Sequence, residues 1–166
     1  MSIKIVPVST DDNIDSVTVL AKEIWTHHYV PIIGEEQVEY MLSNFQSFAA
    51  IKSQISDGTE YFLVKIDNVQ VGYIGLIVSE NKDKILISKI YVNNAARGKG
   101  AGHAMLSFVE DKCIAEKIPL LWLTVNKMNC GAINWYKNRE FVVTDNVKTD
   151  IGGGFFMDDY IMEKEI

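Results

Sequence analysis

Gly98, Gly100 and Gly102, with Arg97 and Lys99 beside and between them, are the residues of this 166-residue chain best suited to hold an anion. They follow the apolar run Ile85 to Val92 and the short segment Asn93 to Ala96. They precede His103 to Lys117, where Met105, Phe108, Val109 and Cys113 recur at helical spacing. The glycines therefore lie at a helix N-terminus, where backbone N–H groups lack intrahelical partners and the positive end of the dipole is exposed. Glycine removes the Cβ that would hold a phosphate away from those amides, and the basic side chains add charge-assisted donors, so the simplest ligand is a pyrophosphate. A strand-to-helix turn with solvated basic residues would give the same cluster, so the spacing has to decide. A triphosphate-binding loop needs lysine followed by serine or threonine at the end of its glycine run, whereas Lys99 lies inside the run and His103 follows it. The dinucleotide fingerprint needs a small residue where His103 stands.

A second cluster lies downstream. After a strand over Leu120 to Val125, Asn126 to Asn129 leads into a helix on which Asn129, Ala132 and Tyr136 share a face, being three and then four residues apart. The pattern Arg-x-x-Gly-x-Gly, filled by Arg97, Gly100 and Gly102 behind a strand ending Ile90-Tyr91-Val92, resembles the acetyl-CoA signature of the GNAT superfamily of N-acetyltransferases. Leu123, Val125, Asn126, Asn129, Ala132 and Tyr136, followed by Phe141, are similar to a second motif of that family and come in the right order. The N-terminal third and the tail Ile151 to Met162 look like small bacterial members and, distantly, like spermidine and spermine acetyltransferases. Glu140 departs from the pattern, since the family usually has glycine there. A non-glycine residue in a left-handed cap costs about 1–2 kcal/mol, so either Asn138 takes the cap or the helix ends differently.

The resemblance implies an α/β fold of the acyl-CoA N-acyltransferase type: a mixed sheet of about seven strands, helices on both faces, and a central parallel pair splayed to admit a pantetheine arm. It implies acetyl-CoA as donor, with the pantetheine amides paired to the backbone of Ile90, Tyr91 and Val92. Arg97, Gly98, Lys99, Gly100, Ala101 and Gly102 then hold the pyrophosphate, and Asn126, Asn129 and Ala132 complete the donor side. The implied reaction moves acetyl to a primary amine, a small molecule or polyamine, by direct attack in a ternary complex. An acyl-CoA sensor without turnover and a peptide or protein N-terminal acetyltransferase are the alternatives.

Such a reaction needs a neutral amine, a stabilised oxyanion and a proton for the departing thiolate. Tyr136 is the expected general acid, since the family sets this hydroxyl beside the sulfur and an ordinary tyrosine pKa of about 10 keeps it protonated at neutral pH. The oxyanion donor is expected among the backbone N–H groups near Tyr91 or Val92. An alkylammonium with a pKa of about 10.4 is neutral in only about one molecule in 2500 at pH 7, a cost of ~4.6 kcal/mol, so a carboxylate or a water relay has to help. Asp158, Asp159 and Glu60 are candidates by position, with Asp158 expected at the acceptor. Trp25, His28 and Tyr29 are expected to wall the acceptor pocket, as the family's helical lid does, although Trp25 suits a core position equally well.

Composition narrows the classes. With 48% hydrophobic residues in 166, the chain suits one buried core, and a single domain over 1–166 is expected. No apolar run approaches the roughly 20 residues of a membrane span and Met1 to Thr10 has no leader pattern, so the expected location is cytoplasmic. Sixteen basic against 22 acidic residues, a formal net charge of −6, argue against a nucleic-acid partner and favour a cationic substrate. Cys113 and Cys130 have neither metal-ligand nor disulfide spacing. The sequence names no acceptor amine, and it is compatible with a homodimer.

The remaining elements follow from periodicity and punctuation. Ile3 to Val8 reads as a strand. Ser9 to Asp12 caps a helix with Ile14, Val17, Ala21, Ile24 and Trp25 inward, extended one turn by His28 and broken into a loop by Tyr29, Pro31 and Gly34. Helices are expected from Glu35, with Val38, Met41, Leu42 and Phe45 inward, and from Ser47 to Asp57-Gly58. Glu60 to Ile66 and Val69 to Ser79 read as a hairpin turning at Asp67-Asn68, with Gly72 and Gly75 marking a bulge or a close backbone approach. Ile85 to Val92 and Leu120 to Val125 are joined through a helix and so are expected to be parallel. Phe141 to Val147 and Phe155 to Ile166 close the fold around a flexible loop or bulge at Gly152-Gly153-Gly154.

Overall fold

The computed structural model describes all residues, Met1–Ile166. Seven strands form one mixed sheet: β1 (Ile3–Pro7), β2 (Glu60–Ile66), β3 (Val69–Val78), β4 (Lys84–Val92), β5 (Leu120–Asn126), β6 (Val142–Gly152) and β7 (Phe155–Glu165). Their order is β1-β2-β3-β4-β5-β7-β6. The chain divides into two compact units, Met1–Ile77 with Lys89–Val109, and Val78–Ser88 with Glu110–Ile166, and β4 runs through both.

In the first unit β1 pairs antiparallel with β2 from Ile3 opposite Ile66 to Pro7 opposite Phe62, and β2 pairs antiparallel with β3. The turn between β2 and β3 is Asp67-Asn68, both at positive φ (49° and 68°), the geometry whose twist matches that of two-residue hairpins. Helix α1 (Asp11–His28) starts where Thr10 Oγ1 accepts from Asn13 N at 3.2 Å, and Asp11 and Asp12 oppose the dipole in its first turn. Its buried residues Ile14, Val17, Leu20, Ala21, Ile24 and Trp25 form one stripe. The expected loop after His28 is a further helical turn, α2 (Val30–Ile33), because Pro31 sits in a first turn whose N–H groups are unpaired in any case, and Gly34 at φ 87° ends it. Helices α3 (Glu35–Phe45) and α4 (Phe48–Ser56) follow, the latter capped by Ser47 Oγ accepting from Ala50 N at 3.2 Å. Tyr61 and Phe62 are successive β2 residues and so point to opposite faces. Tyr61 meets Gln54 of α4, whereas the Phe62 ring lies 4.9 Å from that of Phe108 on α5 (Ala101–Glu116), so helices cover both faces.

In the second unit β4 and β5 are parallel, with Lys84, Ile85 and Leu86 opposite Leu120, Leu121 and Trp122. β5 pairs antiparallel with β7 from Leu120 opposite Glu165 to Asn126 opposite Asp159. Leu121, Leu123 and Met162 share one buried face. Helix α6 (Cys130–Lys137) follows β5. β6 runs on to Gly152, beyond the expected end at Val147, because the three glycines form a tight turn at φ 89°, 62° and 83° with Gly152 opposite Phe155. A register shift between Asp150 and Gly152 supplies the bulge.

The left-handed residue after α6 is Glu140, at φ 71°, and Asn138 stays helical. Phe141 N bonds Tyr136 O and Glu140 N bonds Lys137 O, each at 3.1 Å, the double closure that a glycine normally makes.

Candidate active site

In the first unit, β4 delivers the backbone of Ile90, Tyr91 and Val92 to the glycine turn. Asn93 caps a short 3-10 turn over Asn94–Ala96, its side chain accepting from Ala96 N at 3.0 Å, which buries the Ala96 methyl and turns Arg97 outward. Gly98 and Gly100 lie at φ 78° and 82° with open space where a Cβ would be. Helix α5 begins at Ala101, and Ala104 N bonds Gly100 O at 3.0 Å. Arg97, Gly98, Lys99 and Gly100 are exposed, the Ala101 methyl is buried and Gly102 is half-buried, so the polar groups of the segment lie outward and its one early methyl inward. The first turn of α5 has no acidic residue, which leaves its positive dipole end uncompensated.

Trp25 and Tyr29 meet this strand. Trp25 stacks on Tyr29 at 4.3 Å between ring centroids, and Tyr91 lies edge-on to Trp25 at 5.5 Å and to Tyr29 at 6.2 Å. Trp25 is a core residue at 3% exposure, whereas His28 and Tyr29 are half-buried. His28 Nδ1 lies 3.3 Å from Arg97 Nη2, and since a guanidinium only donates, that ring nitrogen accepts. Glu23, Ile24, His27, His28, Val92, Asn94, Ala95 and Arg97 line a cavity of about 260 Å³.

Lys89, the residue before Ile90, is a polar interruption of a largely apolar strand. It is 6% exposed, and Nζ donates to Phe45 O at 2.7 Å, to Gln54 Oε1 at 2.9 Å and to the Tyr61 hydroxyl. None of these oxygens is a carboxylate, and burial lowers the Lys89 pKa to about 7. Burial also raises the pKa of Tyr61, whose hydroxyl donates to Gln54 Oε1 at 2.5 Å. Lys89 thus ties β4 to the junction of α3 and α4.

In the second unit, the turn after β5 is held by Asn126. Its Oδ1 accepts from Met128 N at 2.8 Å and its carbonyl accepts from Asn129 N at 2.9 Å. Asn129, expected on the helix, is its N-terminal cap residue and is buried, with Ala132 half-buried on the helix behind it. Tyr136 is buried with its ring 5.4 Å from that of Phe141. Asp158 is half exposed and pairs with Lys127 at 3.0 Å. Asp159 is 4% exposed, and its Oδ1 has no hydrogen-bond partner. Burial, reinforced by Asp158 and opposed by Lys127, raises its pKa to about 6. Glu60 opens β2 opposite Leu76, in the first unit.

The Acetyltransferase (GNAT) family pattern matches residues 20–141. A curated relative, an uncharacterized N-acetyltransferase in the pepI 3′ region of Lactobacillus delbrueckii subsp. lactis, is 27% identical over 107 residues, which is 56% of this chain and 62% of that relative. The crystal structure of a PaiA N-acetyltransferase from Thermoplasma acidophilum in complex with coenzyme A superposes over 100% of both chains with a TM-score of 0.82 at 24% identity. A GCN5-related N-acetyltransferase from Rhodopseudomonas palustris gives a TM-score of 0.83 at 17% identity, over 100% of this chain and 97% of that one. At these identities the two structures attest a shared fold.

Proposed function

The chain belongs to the GNAT acetyltransferase family, and we propose that it moves acetyl from acetyl-CoA to a primary amine, a small molecule or polyamine, by direct attack in a ternary complex. The observation that carries this reading is the turn Arg97 to Gly102. Two left-handed glycines with open space above them lead into an uncompensated helix N-terminus, flanked by Arg97 and Lys99. That suits a pyrophosphate by backbone geometry as well as charge. The coenzyme-A-bound fold relative supports the same ligand.

Acetyl-CoA supplies the activated acetyl group. Residues of this chain hold and discharge it: the amides and side chains of the Arg97 to Gly102 turn take the pyrophosphate, the backbone of Ile90 to Val92 takes the pantetheine amides and polarises the carbonyl, and Asn126, Asn129 and Ala132 shape the donor side. Tyr136 gives its phenolic proton to the departing sulfur. Trp25, His28 and Tyr29 of the first unit and Asp158 of the second are assigned to the acceptor side. One domain over 1–166 is the unit of function, since the family match runs across both compact units. No helix is long and apolar enough to cross a membrane, and the reading places the enzyme in the cytoplasm.

Thermal unfolding with acetyl-CoA, NAD and ATP, followed by thiol release over polyamines, amino acids, aminoglycosides and peptide N-termini, tests the reading. Acetyl-CoA alone should raise the melting temperature, because a ligand of the native state stabilises by mass action. No shift at concentrations far above micromolar would remove the donor assignment. Binding without release for any amine would favour a sensor.

A further inference from the structure

We propose that Asp159 is the carboxylate that receives the acceptor: it pairs with the substrate's ammonium group and takes one proton from it. This rests on the acetyltransferase reading above, and it adds a base and a substrate charge, namely an amine that arrives protonated.

Asp159 and Asp158 are chemically identical neighbours with opposite surroundings. The neighbouring cation Lys127 is taken by exposed Asp158 at 3.0 Å. Asp159 faces the other way, is 4% exposed and leaves Oδ1 unpartnered. An excluded, unpaired carboxylate oxygen opposes folding, and an ammonium ligand is the chemistry that satisfies it. The register says where it points. Asp159 lies opposite Asn126 on β5 and Val147 on β6, so it shares a sheet face with Asn126, Thr124 and Trp122. The opposite face carries Lys164, which meets Glu110 of α5 at 2.5 Å. Asn126 also starts the turn that positions Tyr136, through Asn129 N to Asn126 O at 2.9 Å and Ile133 N to Asn129 O at 3.1 Å. One turn therefore places the proton donor and faces the carboxylate. The charged groups around Asp159 are Asp158 on its own strand, Lys127 beside Asn126, and Lys148 opposite Asp158 on β6. Its pKa, raised to about 6 by burial, leaves it ionised at pH 7 yet a stronger base than an ordinary aspartate.

The protons balance. Of the three on the ammonium nitrogen, one passes to Asp159 and on to water and one stays on the product amide. The third leaves as the C–N bond forms and the C–S bond breaks, replacing the proton that Tyr136 gives to sulfur. The sum is ammonium plus acetyl-CoA to amide, CoA thiol and one proton.

The test compares wild type, Asp159→Asn and Asp159→Glu by thiol release between pH 5.5 and 9, with calorimetry for acetyl-CoA. The probes are propylamine and spermidine, with amine pKa values of about 10, and glycinamide at about 8. Asp159→Asn should fold, bind acetyl-CoA as wild type does, and lose about 10²-fold or more in kcat/KM with the two alkylamines and less with glycinamide. Its profile should also lose the limb near pH 6, and Asp159→Glu should recover part of the rate. A retained limb, or an equal loss with all three amines, overturns the proposal. Failure of the underlying reading looks different: wild type binds no acetyl-CoA or releases no thiol. In that event the ¹³C resonance of the Asp159 carboxyl decides, since spermidine should displace it and an unmoved resonance overturns the proposal.

Discussion

The carbonyl oxygen of Tyr91 occupies the space where a side chain at Gly72 would be. A Cβ built on Gly72 overlaps that oxygen and lies 3.3 Å from Tyr91 C and from Val92 Cα, while Asn93 N bonds Val71 O at 2.8 Å beside it. The obstacle is backbone, so it cannot swing aside. Gly72→Ala should destabilise the protein by about 1–3 kcal/mol and weaken acetyl-CoA binding, because relief must displace the strand segment Tyr91-Val92. Urea unfolding and calorimetry check both; full stability in the variant would mean that β3 and β4 slide at no cost.

Tyr136→Phe keeps the ring against Phe141 and deletes the hydroxyl proposed as proton donor. Turnover should fall by about 10²- to 10⁴-fold with acetyl-CoA affinity unchanged. If amine deprotonation limits the wild-type rate at pH 7, the loss will emerge as pH rises, so rates should be compared across pH with each accepted amine. Wild-type turnover at every pH would leave solvent as the source of the proton.

Lys89 should make stability depend on pH. Its folded pKa is depressed from 10.5 to about 7, so its contribution is present above the ordinary lysine pKa and is lost as pH falls through 7. Between pH 7 and 9.5 wild type should gain on Lys89→Met by about 1 kcal/mol per pH unit, whatever the offset from leaving Phe45 O and Gln54 Oε1 without their donor. Unfolding free energies of both proteins at four pH values give the slope; a flat difference would mean that Lys89 stays charged when folded.

Glu140→Gly should stabilise the protein by about 1 kcal/mol, since φ 71° strains any residue with a Cβ. The substitution also removes the ion pair of Lys164 Nζ with Glu140 Oε2, but at 3.9 Å and exposed on the glutamate side it contributes little. The expected rise in melting temperature is about 2–4 °C for a chain of this size. A fall would show that the carboxylate's surroundings outweigh the strain.

Helix α1 was legible from its capping residues and its stripe Ile14, Val17, Ala21, Ile24 and Trp25, the hairpin from Asp67-Asn68, and the parallel pair from a strand, helix, strand order. Each of these depends on residues within a few positions of one another or on the handedness of a short connection. The glycine turn and the Asn126 to Tyr136 segment were legible for the same reason, their geometry being local. The turn α2 after His28 was not, because Pro31 and Gly34 signal a boundary without saying what lies between them.

Tertiary structure alone decided which charged residues lose water. Lys89 in a strand could face solvent or core, and only the arrival of Phe45, Gln54 and Tyr61 from other elements encloses it. His28 meets Arg97 across 69 positions of sequence. Asp158 and Asp159 are indistinguishable as letters. The register of β7 between β5 and β6 turns one toward Lys127 and water and seals the other with an oxygen unpaired, because successive strand residues face opposite sides and the parity of a strand is set by its neighbours, not by its own composition.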